Sequence, residues 1–167
     1  MIKKSSNTEI LDEELDKIDR KIINILQKNN QITNLELAKI VNISPPPCLR
    51  RVRRLRKLGI IIQDVCLIDP FKLGQHLIVF VGISLKTHRE DLMEDFEHTM
   101  LANPEVKQCY FISGEVDYLL VVHISNIDAY NAFVRKVLLK EKNIKLFRSS
   151  FCLTRIKFDT SVILSDC

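Results

Sequence analysis

Residues 44–60 read Ser44-Pro45-Pro46-Pro47-Cys48-Leu49-Arg50-Arg51-Val52-Arg53-Arg54-Leu55-Arg56-Lys57-Leu58-Gly59-Ile60, and this stretch decides the fold. Three consecutive prolines fit a helix only in its first turn, where backbone N–H groups have no partner within the helix. Ser44 and the prolines therefore mark a helix start, and Gly59 marks its C-terminal cap. A residue that precedes proline avoids the helical region, which predicts regular helix only from near Pro47. On a wheel of about 100° per residue, Arg53, Arg54 and Lys57 fall within about 60° of Arg50. Cys48, Val52 and Leu55 cluster on the opposite side. One face is apolar and the other is a row of cations. The stretch holds no acidic residue to pair at i,i+4, and arginine outnumbers lysine five to one. The planar guanidinium suits phosphate oxygens and guanine edges.

Upstream, Leu15, Ile18, Ile22 and Ile25 recur at spacings of three and four, predicting a helix from Asp12. Asn29-Asn30-Gln31 breaks it. Thr33-Asn34-Leu35-Glu36 reads as a capping box opening a short helix that carries Leu37, Ala38 and Val41. Asn42 tolerates the left-handed conformation that a tight turn requires. Three helices with such a turn between the second and third make a helix-turn-helix, assigned to residues 12–62 behind a flexible tail, 1–11. Charge agrees with this division. Residues 1–60 hold 13 Lys/Arg against 7 Asp/Glu, and residues 61–167 hold 12 against 14, within a net charge of +4. A basic module joined to a mildly acidic one points to a polyanion-binding part and something else.

Downstream, Ile60–Ile62 is extended and Asp69-Pro70 interrupts an extended linker, 63–75. Leu77–Lys86 alternates as a strand that is apolar on both faces: Leu77, Val79, Val81, Ile83 and Leu85 on one, Ile78 and Phe80 on the other. Residues 88–101 read as a helix with Leu92, Met93, Phe96 and Met100 inward. Val106–Ser113 and Asp117–Ser125 read as strands joined at Gly114-Glu115-Val116. Residues 127–140 form a second helix with Tyr130, Phe133, Val134, Val137 and Leu138 inward, and Ile144–Lys157 is a last strand. The order β-α-β-β-α-β is the ferredoxin-like arrangement, assigned to residues 76–160 before a C-terminal tail, 161–167. The fold class is α+β. Both helices of such a unit pack on one sheet face, so the apolar second face is expected to be buried against another copy, giving a homodimer.

Composition removes other classes. With 46% hydrophobic and 28% charged residues among 167, the chain reads as folded rather than disordered. No apolar run approaches the ~18 residues of a spanning helix, and no apolar region follows the basic N-terminus, so no membrane association is expected and the location is cytoplasmic. Cys48, Cys66, Cys109, Cys152 and Cys167 form no C-x-x-C, and no histidine lies at ligand spacing to them. Reduced thiols without a metal site are expected.

The third-helix pattern Ser44-Pro45-x-Pro47-Cys48-Leu49-x-Arg51-Val52-x-x-Leu55-x-x-x-Gly59-Ile60, followed by a β-α-β-β-α-β domain, resembles the Lrp/AsnC (feast/famine) transcriptional regulators. Asp16-x-x-Asp19-x-x-Ile22-x-x-x-Leu26-Gln27 and Ser113-Gly114-Glu115-Val116-Asp117-Tyr118 agree with it, over roughly residues 12–160. The resemblance implies a winged helix-turn-helix regulator, not an enzyme, that dimerises through its C-terminal domains, often assembles to octamers, wraps DNA and answers to a small molecule, usually an amino acid. Two positions depart from the pattern. Pro46 replaces a small hydroxyl residue, removing a phosphate contact, and Asn42 replaces a glycine in the turn.

On this reading the third helix enters the major groove of double-stranded DNA. Ser44, Pro46, Arg50, Arg51, Arg53, Arg54 and Lys57 are the candidate DNA-binding residues, with Ser44 and Lys57 assigned to phosphates. Ser113, Gly114, Glu115, Asp117 and Tyr118 are the candidate effector site: backbone N–H groups for a carboxylate and Asp117 for an ammonium, the two needs of a free amino acid. No cofactor is expected. An architectural DNA-binder without effector is one alternative. The other is a small enzyme of similar layout, such as a tetrapyrrole decarboxylase, for which His123 is the one tempting group.

Overall fold

In a computed structural model of the chain, which describes residues 15–74 and 77–164, Asp16 opens the first helix. Its carboxylate accepts from the Asp19 N–H at 2.9 Å, satisfying one orphan donor of helix α1, Lys17–Lys28. Among the described residues the helix starts at Lys17; Asp12, the expected start, lies outside them. The expected tail, 1–11, lies outside the described residues. Helix α2 spans Asn34–Ile40 with the capping box formed as expected: Thr33 accepts from the Glu36 N–H and Glu36 reaches back to the Thr33 N–H at 3.0 Å. Asn42 follows at φ 58°, the left-handed turn foreseen for it.

Helix α3 spans Pro45–Lys57, so it begins two residues earlier than expected. Pro45 and Pro46 are helical although each precedes a proline. All three rings sit in the first turn, where their missing N–H groups forfeit no bond within the helix. At the other end the Gly59 N–H bonds the Arg56 carbonyl at 3.0 Å and the Ile60 N–H bonds that of Leu55 at 3.0 Å. With Gly59 at φ 73°, this is a Schellman motif. Ile22, Leu37, Ala38, Cys48, Val52 and Leu55 are buried together where the three helices meet. Ile60–Ile62 continues the chain without forming a strand.

The chain divides into two compact units, Met1–Cys66 with Phe158–Cys167, and Leu67–Lys157. The C-terminal segment therefore belongs to the helix-turn-helix unit. The Gln27 side chain bonds both backbone groups of Val162, donating to its carbonyl at 3.1 Å and accepting from its N–H at 2.6 Å. Leu164 packs against the core of the helices. A C-terminal tail over 161–167 was expected; within it Val162 and Leu164 make the contacts just described, and 165–167 lie outside the described residues.

In the second unit a short 3₁₀ turn, Phe71–Leu73, closed by Gly74 at φ 80°, interrupts the linker. Strand β1 (Leu77–Leu85), helix α4 (Glu90–Ala102), β2 (Val106–Phe111), β3 (Tyr118–Ile124), helix α5 (Ile127–Lys136) and β4 (Ile144–Phe151) follow. The sheet order is β2-β3-β1-β4, all neighbours antiparallel, which is the ferredoxin-like order. β4 and α5 fall furthest short of expectation in this unit. β4 ends at Phe151 rather than Lys157, and α5 ends at Lys136, with Leu138–Lys140 forming a separate 3₁₀ turn. Val79, Val81, Ile83, Leu120 and Val122 are buried on one sheet face with Phe96, Met100, Tyr130 and Phe133 of the helices. The register puts Phe80, Leu119, Val121, Tyr110 and Leu146 on the opposite face.

Candidate functional site

The third helix presents its cations as the wheel requires, but not uniformly. Arg50, Arg53 and Lys57 are exposed, as are Ser44 and Pro46 at the helix start. None of the three cations enters an ion pair among the described residues. Arg51 and Arg54 lie on the flank nearest α1 and are engaged there. Arg51 donates to Asp16 at 2.6 Å and to Asp19 at 2.9 Å; Arg54 donates to the other oxygen of Asp19 at 2.5 Å. The Asp19 side chain is fully buried, so each of its oxygens takes one guanidinium. Arg51 and Arg54 are thus neutralised by acids at the start of α1 rather than by i,i+4 partners within α3. Bonding to Asp19 is the largest influence on Arg51 and holds its guanidinium pKa above the ordinary value. Burial pulls Asp16 upward, but the Asp19 N–H and Arg51 outweigh it, leaving that carboxyl below its usual value. Arg56 pairs with Asp64 at 2.8 Å on the surface, a contact of small energetic weight.

The candidate effector loop joins β2 to β3. Ser113, Gly114 and Glu115 are exposed, with Gly114 at φ 148°. Val116 turns inward over the sheet: a Cβ at Gly82 of β1 would stand 3.2 Å from its Cγ1. A glycine at that place lets the loop lie close to the strand. Asp117 is not idle. Its Oδ2 accepts from the Leu85 N–H at 2.7 Å, its Oδ1 meets His88 Nε2 at 2.7 Å, and its own N–H donates to the Ile83 carbonyl at 2.8 Å. The Leu85 N–H foremost, then His88, holds the Asp117 carboxyl below its usual value. Neither partner was foreseen from the sequence, since His88 is 29 residues away and the other is a backbone group.

Tyr118 is buried, unlike the exposed loop residues Ser113, Gly114 and Glu115 before it. Its side chain faces the helices, with ring centroids 4.7 Å from Phe96 and 5.1 Å from Phe111, and its hydroxyl donates to Glu97 at 2.8 Å. Burial, and then Glu97, push the phenol upward. Tyr118 opens β3 with its ring buried, whereas Asp117 precedes the strand and is only partly buried. His123 lies on the open sheet face, and burial followed by Lys107 and Arg155 lowers its pKa. Among the described residues no group of three potential metal ligands occurs, Cys48, Cys66, Cys109 and Cys152 are free thiols, and no helix is long and apolar enough to cross a membrane. Cys167 lies outside the described residues.

Residues 15–62 match the family model for winged helix-turn-helix DNA-binding, and residues 78–162 match that for the Lrp/AsnC ligand binding domain. The leucine-responsive regulatory protein of Escherichia coli is 36% identical over 151 residues, covering 90% of this chain and 92% of its own. Among solved structures, a transcriptional regulator of Neisseria meningitidis in complex with L-Met is similar at 38% identity with a TM-score of 0.84, covering 89% of this chain and 96% of that one. An AsnC family transcriptional regulator from Agrobacterium tumefaciens is similar at 36% identity with a TM-score of 0.85, covering 89% and 97%. These relatives are named as regulators, not as enzymes. The helix-turn-helix with its basic third helix, the ferredoxin-like sheet order and these likenesses agree: the chain belongs to the Lrp/AsnC family of DNA-binding transcriptional regulators.

Proposed function

We propose that the chain is a cytoplasmic, amino-acid-responsive regulator that binds double-stranded DNA through α3 and assembles through its sheet. The observation that carries the DNA contact is the exposed row Arg50, Arg53 and Lys57, with Ser44 and Pro46 at its head, on the outer face of a helix-turn-helix. Such a helix enters the major groove, and a symmetric dimer presents two of them to a roughly palindromic site. Ser44 and Lys57 take phosphates, which fix position without reading sequence. Fluorescence anisotropy of a labelled duplex from the gene's own upstream region, against an unrelated duplex, tests this across a salt series. Tighter upstream binding with a steep fall of log K against log salt is expected. Equal weak binding to both duplexes would instead favour an architectural role.

The effector is proposed to be a free amino acid held at the loop 113–117. Backbone N–H groups near Gly114 suit its carboxylate, and Asp117 suits its ammonium. Because His88 already occupies Asp117 Oδ1, the ammonium displaces or shares that contact. The L-Met bound to the Neisseria relative supports the ligand class. Asp117→Ala is expected to abolish amino-acid-dependent changes in DNA binding or assembly, and a variant that still responds places the ligand elsewhere.

The dimer is proposed to form over the open sheet face. Phe80, Tyr110 and Leu146 on that face are 39%, 48% and 49% exposed. The segment after β4 does not fold down to cover apolar surface, since Leu153 and Ile156 are 97% and 89% exposed. Further assembly to an octamer would build on that pair.

A further inference from the structure

The row of cations on α3 is not one population. We propose that Asp19 of α1 is a positioning residue of the DNA-binding surface: it holds Arg54 and Arg51 as structural cations, so that the duplex meets a narrower stripe centred on Arg50, Arg53 and Lys57. This rests on the DNA-binding reading above and sharpens it.

Three observations carry the inference. First, the Asp19 side chain is fully buried and both its oxygens are used, one by Arg51 and one by Arg54. A buried carboxylate deprived of its cations is costly, so these guanidiniums cannot leave for a phosphate without stranding it. Second, Arg51 has a second acid, Asp16, at 2.6 Å, which leaves it no surplus charge. Third, the two arginines engaged by α1 lie on one flank. On a wheel with Arg50 at zero, Arg54 and Arg51 stand at about +40° and +100°, whereas Lys57, Pro46 and Arg53 stand at about −20°, −40° and −60°. The exposed cations without an ion partner among the described residues thus form one contiguous stripe turned away from α1. The bidentate use of Asp19 also fixes the rotation of α3 about its own axis, and so determines which edge of that helix is offered.

Salt dependence separates the two populations, because each phosphate neutralised contributes nearly one unit to the slope of log K against log salt. The intact chain, Arg54→Gln, Arg50→Gln and Asp19→Asn are compared on one unrelated duplex, with folding checked by circular dichroism and thermal melting. Arg50→Gln is expected to lower the slope by about one unit, while Arg54→Gln, which keeps an amide donor for Asp19, leaves it unchanged. Asp19→Asn frees Arg54 and is expected to steepen the slope by about one unit, with the double variant Asp19→Asn/Arg54→Gln returning to the parent value. Were Asp19 needed only for folding, its substitution would weaken binding without steepening the slope, and that result overturns the proposal. So does an Arg54→Gln slope reduced as much as that of Arg50→Gln. If Asp19→Asn does not fold, the comparison of Arg54→Gln with Arg50→Gln decides alone. An intact chain that binds no duplex at low salt overturns the DNA-binding reading itself.

Discussion

At the scale of single residues, two backbone positions hold the recognition helix in place. Asn42 and Gly59 stand at φ 58° and 73°, before and after α3. Asn42→Val is expected to lower stability by about 1–2 kcal/mol, because a β-branched side chain is strained in the left-handed region. Gly59→Ala is expected to cost about 1 kcal/mol for backbone reasons alone, since a Cβ there meets nothing within 4 Å. Urea titration of each variant measures both. Asp117 adds a pH dependence. Its folded pKa lies below the unfolded value because the Leu85 N–H and His88 bond its charged form. Its contribution to stability is therefore complete above about pH 4 and is lost as the pH falls through the lower folded value. An acid titration followed by circular dichroism is expected to show this loss in the parent and not in Asp117→Asn.

At the scale of elements, the placement of the loop 113–117 depends on Gly82. Gly82→Val drives a side chain into Val116, whose Cγ1 already lies 3.2 Å from where a Cβ would stand. This variant is expected to retain DNA binding and lose at least tenfold of its amino-acid affinity, as calorimetry would read. The sequence made the elements legible because their signals are local. The proline turn, the capping box, the left-handed asparagine and the alternation of β1 each specify a conformation within a few residues. The ends of elements were less legible. β4 stops at Phe151 and α5 at Lys136 although the apolar pattern runs on in both. The candidate site was legible as a set of exposed cations and one loop, but not as a network. Asp19 and His88 act across 32 and 29 residues of sequence, on Arg51 and Asp117 respectively, and no local pattern records such a pairing. Tyr118 was assigned with its neighbours through the motif they share, and its packing against Phe96 and Phe111 lies in no local pattern.

At the scale of the whole molecule, assembly is the property the sheet foretells. Phe80→Glu places a charge at the centre of the open face and is expected to shift the chain from dimer to monomer in light scattering, with weaker operator binding as a consequence. Burying that carboxylate in an apolar interface costs several kcal/mol, more than the surrounding contacts of a modest dimer return. A parent that is monomeric at micromolar concentration would remove the dimer instead. The return of the chain to its first unit matters as much. Residues from Phe158 belong with the helix-turn-helix, where Gln27 holds Val162 and Leu164 completes the helical core. The helix-turn-helix unit is thus finished by residues that follow the sheet in sequence. Removal of the residues from Phe158 onward would spare the whole ferredoxin-like sheet and still injure the part that meets DNA, so two segments far apart in the sequence are under one shared constraint.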